Sequence, residues 1–261
     1  MTLNELKLSA KRLSKHGAEL FGASAKDLSH SEALELIARL HGFRDYHEAQ
    51  QRLSQRELLG ELLQEPGGML STQGITLNMA SQILLTKGII NVTGPTGSGK
   101  SILCNELVAQ AMALGRPVRI LDNGGSYRRL NQMLQGEYYA GPPSAEAYTA
   151  WESSAKLVTL EMDYAEHPIA FDFKKLHALP PNALVLCDEC QTFRHVYKPL
   201  NAKTCVLIGQ HLGEFPEISE QRLIFSHKNN SQSLWLWQAK GTQIELRLQV
   251  GPLRMAAYAR C

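Results

Sequence analysis

Gly94-Pro95-Thr96-Gly97-Ser98-Gly99-Lys100-Ser101 stands between an apolar run, Ile89, Ile90 and Val92, and a helical pattern that opens at Ile102. Strand, glycine-rich loop and helix in that order match the phosphate-binding consensus G-x-x-x-x-G-K-[ST]. Glycines let the backbone turn tightly enough for several N–H groups to face one anion. The helix that follows adds the positive end of its dipole. The whole loop, Gly94, Pro95, Thr96, Gly97, Ser98, Gly99, Lys100 and Ser101, is therefore expected to hold a nucleoside triphosphate, ATP. In that reading Lys100 reaches the β- and γ-phosphates and has a catalytic role, and the Ser101 hydroxyl ligates Mg²⁺.

A second signal lies 87 residues beyond Ser101, in Ala183-Leu184-Val185-Leu186-Cys187-Asp188-Glu189. An apolar strand that ends in two adjacent carboxylates has the Walker B form. Asp188 is expected to hold Mg²⁺ through a coordinated water, and Glu189 to polarise the attacking water. Between the two signals, Val118, Ile120 and Leu121 form a strand that ends at Asp122. Strand ends are where α/β folds keep ligand-contacting residues, so Asp122 is expected to contact the nucleotide. Gly124 and Gly125 allow a sharp turn after it. Arg128 and Arg129 are expected near phosphate or an adjoining subunit.

Ile120-Leu121-Asp122-Asn123-Gly124-Gly125-Ser126-Tyr127-Arg128-Arg129-Leu130 resembles the D-x-G-x-S-Y-x-x-L segment of VirB4/TraC-type conjugation ATPases, in the HerA/FtsK branch of P-loop motors. The resemblance spans roughly residues 88–215. It implies ring-shaped, typically hexameric enzymes that hydrolyse ATP for type IV secretion or DNA movement. Gln210, after the apolar strand Cys205-Val206-Leu207-Ile208, resembles the polar residue of an A-T-Q-like motif in that branch. The resemblance implies that Gln210 senses the γ-phosphate or orients water. The family's large N-terminal domain and much of its helical insert have no counterpart. The phosphate loop also resembles that of PilT/GspE-type secretion ATPases, but without their aspartate-box and histidine-box motifs.

The remaining sequence surrounds this core. Residues 1–66 read as a small helical domain, with a capping box at Ser29 and Glu32 and a stop at His41-Gly42-Phe43. The stretch Ser29 to Gln50 resembles short helical segments of plasmid and mobile-element proteins and is expected to dock a partner. Residues 70–261 read as an α/β P-loop domain of RecA-like type. Within it, residues 136–143 are expected as loop, 144–164 as helix, and Ile169, Phe171 and Phe173 as an extended edge. Strands are expected over 222–226, 233–238 and 242–250, with a hairpin turn at Lys240-Gly241. Arg222, Arg247 and Arg254 are candidates for an arginine finger acting across subunits.

Composition excludes some classes. The 261 residues carry a net charge of +2, with no global bias towards nucleic acid. Residues 190–261 hold nine Lys or Arg against four Asp or Glu, a local basic excess. No apolar run is long enough to span a bilayer, and the N-terminus does not read as a signal peptide. A cytoplasmic location is expected, with peripheral attachment to an inner-membrane machine as its variant. Five scattered cysteines suggest no disulfide framework, and Cys187-x-x-Cys190 lacks a second pair to complete a zinc site. The functional expectation is ATP hydrolysis coupled to DNA transfer, DNA translocation or type IV-like secretion by a homo-oligomer, a hexamer in the form the resemblance implies. DNA or secretion machinery is the expected partner. The alternatives are a nucleotide-dependent adaptor and, behind it, a small-molecule kinase.

Overall fold

The computed structural model describes residues 1–21, 28–54, 68–71, 87–153, 156–161, 173–193, 204–211, 213, 215, 219–229 and 232–250. The backbone packing divides the chain into two units, Met1–Gln64 and Glu65–Cys261.

The first unit is helical. It contains α1 (Leu3–Phe21), α2 (His30–Leu40) and α3 (residues 46–54). Ser29 starts α2 through the expected capping box. Its hydroxyl accepts the Glu32 N–H at 3.2 Å, and the Glu32 carboxylate accepts the Ser29 N–H at 2.8 Å. Thr2 and Glu5 make the same reciprocal pair at the start of α1. The helices bury Leu3, Leu6, Ala38, Ala49 and Leu53 against Leu34, Ile37, Phe43 and Tyr46. The apolar set at Leu58 to Leu63 lies outside the described residues.

The second unit is built on one sheet of ten described strands. These are β1 (Gly68–Ser71), β2 (Gly88–Thr93), β3 (Val118–Asp122), β4 (Glu137–Ala140), β5 (Leu157–Glu161), β6 (Leu184–Cys187), β7 (Thr204–Gly209), β8 (Arg222–Asn229), β9 (Gln232–Ala239) and β10 (Thr242–Gln249). The order is β1-β10-β9-β8-β2-β7-β6-β3-β5-β4. From β8 to β4 every pairing is parallel, whereas β9, β10 and β1 continue the sheet antiparallel. Buried parallel strands must be apolar on both faces. β6 satisfies this throughout, and β2, β3 and β7, with nearly every residue buried, do so but for Asn91, Thr93, Arg119, Asp122 and Thr204. One strand, β7, separates the loop-bearing β2 from β6. That is the RecA-like order expected from the sequence. A kinase-like P-loop fold would make those two strands neighbours.

Helix α4 (Lys100–Ala113) follows the loop and is buried over most of its surface. A Schellman motif ends it: Arg116 N–H bonds Ala111 O, Gly115 N–H bonds Met112 O, and Gly115 takes φ +70°. Further on are α5 (Arg128–Met133), α6 (Ala145–Glu152) and the single turn α7 (Phe173–Leu176).

Three expectations fail between β3 and β6. The helix expected over 144–164 stops at Glu152, and Leu157–Glu161 forms the parallel strand β5. Val158 and Leu160 lie in the continuous run Leu-Val-Thr-Leu, which β3 and β4 bury on both sides. Helical spacing there was a coincidence of a strand following a short helix. The loop expected over 136–143 contains edge strand β4, where Tyr138 and Tyr139 are natural strand formers. Phe173 opens α7 instead of ending an extended edge, while Ile169 and Phe171 lie outside the described residues.

A buried arginine joins β3 to α6. Arg119 donates from Nε to Trp151 O at 2.6 Å and from Nη2 to Ser153 O at 2.7 Å, and has no exposed surface. It caps the last carbonyls of α6, where a cation also suits the helix dipole. Burial lowers its pKa to about 10, so it stays charged at neutral pH. Arg119→Met keeps the apolar stem but leaves these carbonyls unpaired. We expect a loss of about 2–3 kcal/mol in urea denaturation; an unchanged midpoint would contradict this role.

Candidate nucleotide site

The loop Gly94 to Ser101 leaves β2 and enters α4. Gly99 forms the first hinge of the helix in the left-handed region, φ +97°, where a side chain would be strained. Gly94 is required by close packing: a Cβ there would lie 2.7 Å from Phe225 Cβ and 2.8 Å from Ser98 Oγ. Lys100 lies back across the loop, donating from Nζ to Gly94 O at 2.6 Å and to Pro95 O at 3.2 Å. These carbonyls hold the ammonium at the loop mouth. Ser98 Oγ and Thr93 Oγ1 are buried without a hydrogen-bond partner. Orphaned hydroxyls at a glycine-rich turn suit a polar ligand that would complete them.

The acidic pair arrives from two strands away. Asp188 directly follows β6, and its N–H bonds Leu121 O of β3 at 2.9 Å. The residue is 7% exposed, and its pKa is raised to about 7, first by burial and then by Asp122 and Glu189. A crowded, desolvated carboxylate of this kind would suit a divalent cation, for which Ser101 would be the second protein ligand. Mg²⁺ bound there would neutralise charge on the phosphates and orient them.

Glu189 has φ +48°, a left-handed conformation that costs a non-glycine residue about 1–2 kcal/mol. Thr192 holds it by donating from both N–H and Oγ1 to Glu189 O. Gln191 Nε2 donates to Glu189 Oε2 at 2.7 Å and fixes the carboxylate's direction. Sequence reasoning missed Gln191 and Thr192; a strand end followed by a one-turn 3₁₀ helix leaves no periodic signal. Gln210 follows β7, whose Gly209 pairs with Thr93 of β2. The register thus brings Gln210 to the same edge as the loop, between β2 and β6.

Asp122 is engaged within its own loop. It is fully buried, and its two carboxylate oxygens accept the N–H groups of Ser126 and Tyr127, each at 3.2 Å. Burial raises its pKa to about 6, against those two bonds. It folds its own loop and crowds Asp188, a structural task beside the nucleotide contact the strand end suggests. Arg128 is likewise engaged: Nη2 pairs with Glu161 Oε2 at 2.7 Å, and the guanidinium lies 5.5 Å from the Tyr138 ring centre. Tyr138 donates to the same carboxylate. Cys187 and Cys190 are buried free thiols. Among the described residues no three His, Cys, Asp or Glu are grouped to hold a metal by themselves.

Comparison with known proteins locates this segment further. Residues 70–144 match the model of the TraG P-loop domain, a span that contains both the phosphate loop and the segment Ile120 to Leu130. Over these residues the chain is similar to the TraG P-loop domain, in agreement with the resemblance read from them. Residues 1–73 match the model described as glyoxalase superfamily protein. No curated protein matches. Solved structures with similarity include VirB4 of Thermoanaerobacter pseudethanolicus, at 9% identity and TM-score 0.49, covering 72% of this chain and 98% of that one. The DNA-packaging ATPase B204 of Sulfolobus turreted icosahedral virus has 13% identity and TM-score 0.45, covering 63% and 98%. The KaiC-like protein PH0186 of Pyrococcus horikoshii has 14% identity and TM-score 0.40, covering 64% and 87%. The fold assignment rests on the strand order and not on these likenesses.

The acid cluster sets a pH dependence for the ligand-free chain. Asp122 and Asp188 have folded pKa values above their ordinary 3.8. The folded state therefore holds protons that the unfolded state has released, and stability falls as pH rises from about 4 to about 7. Without nucleotide or metal, the unfolding midpoint should be higher at pH 5 than at pH 8. Asp188→Asn should raise it at pH 8 by about 3 °C and flatten the profile. A midpoint for Asp188→Asn below wild type at pH 8 would contradict the crowding argument.

Proposed function

We propose that the chain is a Mg²⁺-dependent ATPase whose hydrolysis drives DNA transfer, DNA translocation or type IV-like secretion. One observation carries the chemistry: the phosphate loop ends β2, Asp188 and Glu189 follow β6, and β7 alone lies between these strands. The TraG P-loop match supports the link to DNA transfer.

In this reading the loop amides and the N-terminus of α4 bind the β- and γ-phosphates. Lys100 exchanges the carbonyls of Gly94 and Pro95 for phosphate oxygens. Ser101 and Asp188 would hold Mg²⁺, which would neutralise developing charge. Glu189, aimed by Gln191, accepts the hydrogen bond of the attacking water, and Gln210 orients it. Phosphoryl transfer asks little more of a protein than this positioning and charge stabilisation.

A ring-like homo-oligomer, most simply a hexamer, would complete the site with an arginine from a neighbour. Arg222 begins β8, Arg247 lies exposed on β10, and Arg254 lies outside the described residues. Among the described residues no helix is long and apolar enough to cross a membrane. The setting that goes with the proposed activity is a cytoplasmic subunit that docks on DNA or on a secretion machine at the inner membrane.

Phosphate release by the purified chain with ATP and Mg²⁺ tests the proposal. Lys100→Ala and Glu189→Gln should each lower turnover at least about 100-fold, and Glu189→Gln should still bind ATP. DNA should stimulate the wild type. Undiminished turnover in both variants would reject the site. ATP binding without turnover in the wild type would favour the adaptor. Turnover that requires one metabolite and yields its phosphorylated form would favour a kinase.

A further inference from the structure

β8 outlasts the strand it pairs with. β2 is matched to β8 from Asn91↔Arg222 to Thr93↔Ile224; then β2 gives way to the phosphate loop, while β8 continues to Asn229. The continuation runs beside the loop, with Phe225 packed so closely on Gly94 that no side chain fits there. A bulge between Phe225 and His227 then shifts the β8–β9 register. In a regular strand Phe225 and His227 would share a face; the bulge gives that face to Lys228 instead. Lys228 stands directly opposite Ser233 of β9, and directly opposed residues share a face.

That pair grips two successive carbonyls of the loop. Lys228 Nζ donates to Gly97 O at 2.6 Å, and Ser233 Oγ donates to Ser98 O at 2.7 Å. Ser233 Oγ also lies 3.0 Å from where a Cβ on Gly99 would stand, so the contact needs glycine at that position. The described peptide bonds are all trans. In a trans peptide the C=O and N–H point opposite ways. The Gly97 carbonyl shares its peptide with the Ser98 N–H, and the Ser98 carbonyl shares its peptide with the Gly99 N–H. Pulling both carbonyls outward turns both amides inward. Ser98 N–H bonds Pro95 O at 3.1 Å, so the Gly97–Ser98 peptide is held at both ends. An ammonium on a peptide carbonyl also polarises that peptide and strengthens its N–H as a donor.

We propose that Lys228 and Ser233 are positioning residues for the phosphate loop: they pin its outer carbonyls so that its amides stay convergent on the phosphates of a nucleoside triphosphate. The proposal rests on the nucleotide reading above. Lys228 touches the loop and not the reacting atoms, and it is exposed, so its replacement does not open the core.

The test uses the full chain in two measurements. Titration with ATPγS and Mg²⁺ should show Kd raised about fivefold in Lys228→Met and in Ser233→Ala, and restored to within about twofold of wild type in Lys228→Arg. Hydrogen–deuterium exchange of residues 94–101 without nucleotide should be faster in Lys228→Met and Ser233→Ala than in wild type and Lys228→Arg. Thermal unfolding midpoints should stay together. Unchanged exchange in Lys228→Met overturns the proposal, even with a raised Kd, because the lysine would then act on the nucleotide directly. Equal loss of affinity in Lys228→Arg and Lys228→Met also overturns it. A wild-type chain that binds no ATPγS overturns the nucleotide reading and this proposal with it, whereas normal wild-type binding with an unaffected Lys228→Met overturns the positioning role alone.

Discussion

Parallel pairing of β2, β7 and β6 is the constraint on which the rest depends. Gly88 pairs with Thr204, and Leu184 pairs with the same Thr204, so the three strands start level. Running parallel, they also finish at one edge. β2 ends at Thr93 beside Gly209, and β6 ends at Cys187 beside Leu207. The phosphate loop, Gln210 and the Asp188-Glu189 pair are therefore delivered together, although 94 residues of sequence separate Gly94 from Asp188. Burial enforces this alignment. Each Ile, Val or Leu fully buried in these strands contributes about 1.5–3 kcal/mol, and a one-residue slip would move every one of them.

The same packing makes the site acidic and dry. Asp188 cannot lie at the end of a buried strand without losing water, and Asp122 ends the strand next door. Burial raises the pKa of both, Asp122 raises that of Asp188 further, and such a place calls for a cation. Lys100, the nearby positive group, is held by Gly94 and Pro95. On the far side of β2, the β8–β9 hairpin stiffens the loop from outside, and β10 and β1 extend that support antiparallel.

What could be read from the sequence divides along physical lines. Motifs that join a strand end to a loop were legible: Gly94 to Ser101, Asp188 and Glu189, the Lys240-Gly241 turn, and the capping box of Ser29 and Glu32. Each is a local pattern with a local cause. Boundaries between β3 and β6 were not, because Val158 fits a helical stripe and a buried strand equally well, and only its neighbours decide. Asp122 was legible as a strand end but not as a loop anchor, since its partners are backbone amides that any sequence supplies. Gln191, Lys228 and Ser233 were invisible for a related reason. Their roles depend on a positive φ at Glu189 and on a bulge beside Ser226, and neither leaves a trace in residue type.

The most direct test is a crystal structure of the chain with ATPγS and Mn²⁺, using the metal's anomalous signal. The triphosphate should lie in the cradle of residues 94–101. The Mn²⁺ peak should lie between the Ser101 hydroxyl and the Asp188 carboxylate, with Lys100 released from Gly94 O onto a phosphate oxygen. A nucleotide bound elsewhere, or a metal peak remote from Asp188 with Lys100 still on the loop carbonyls, would contradict the site described above.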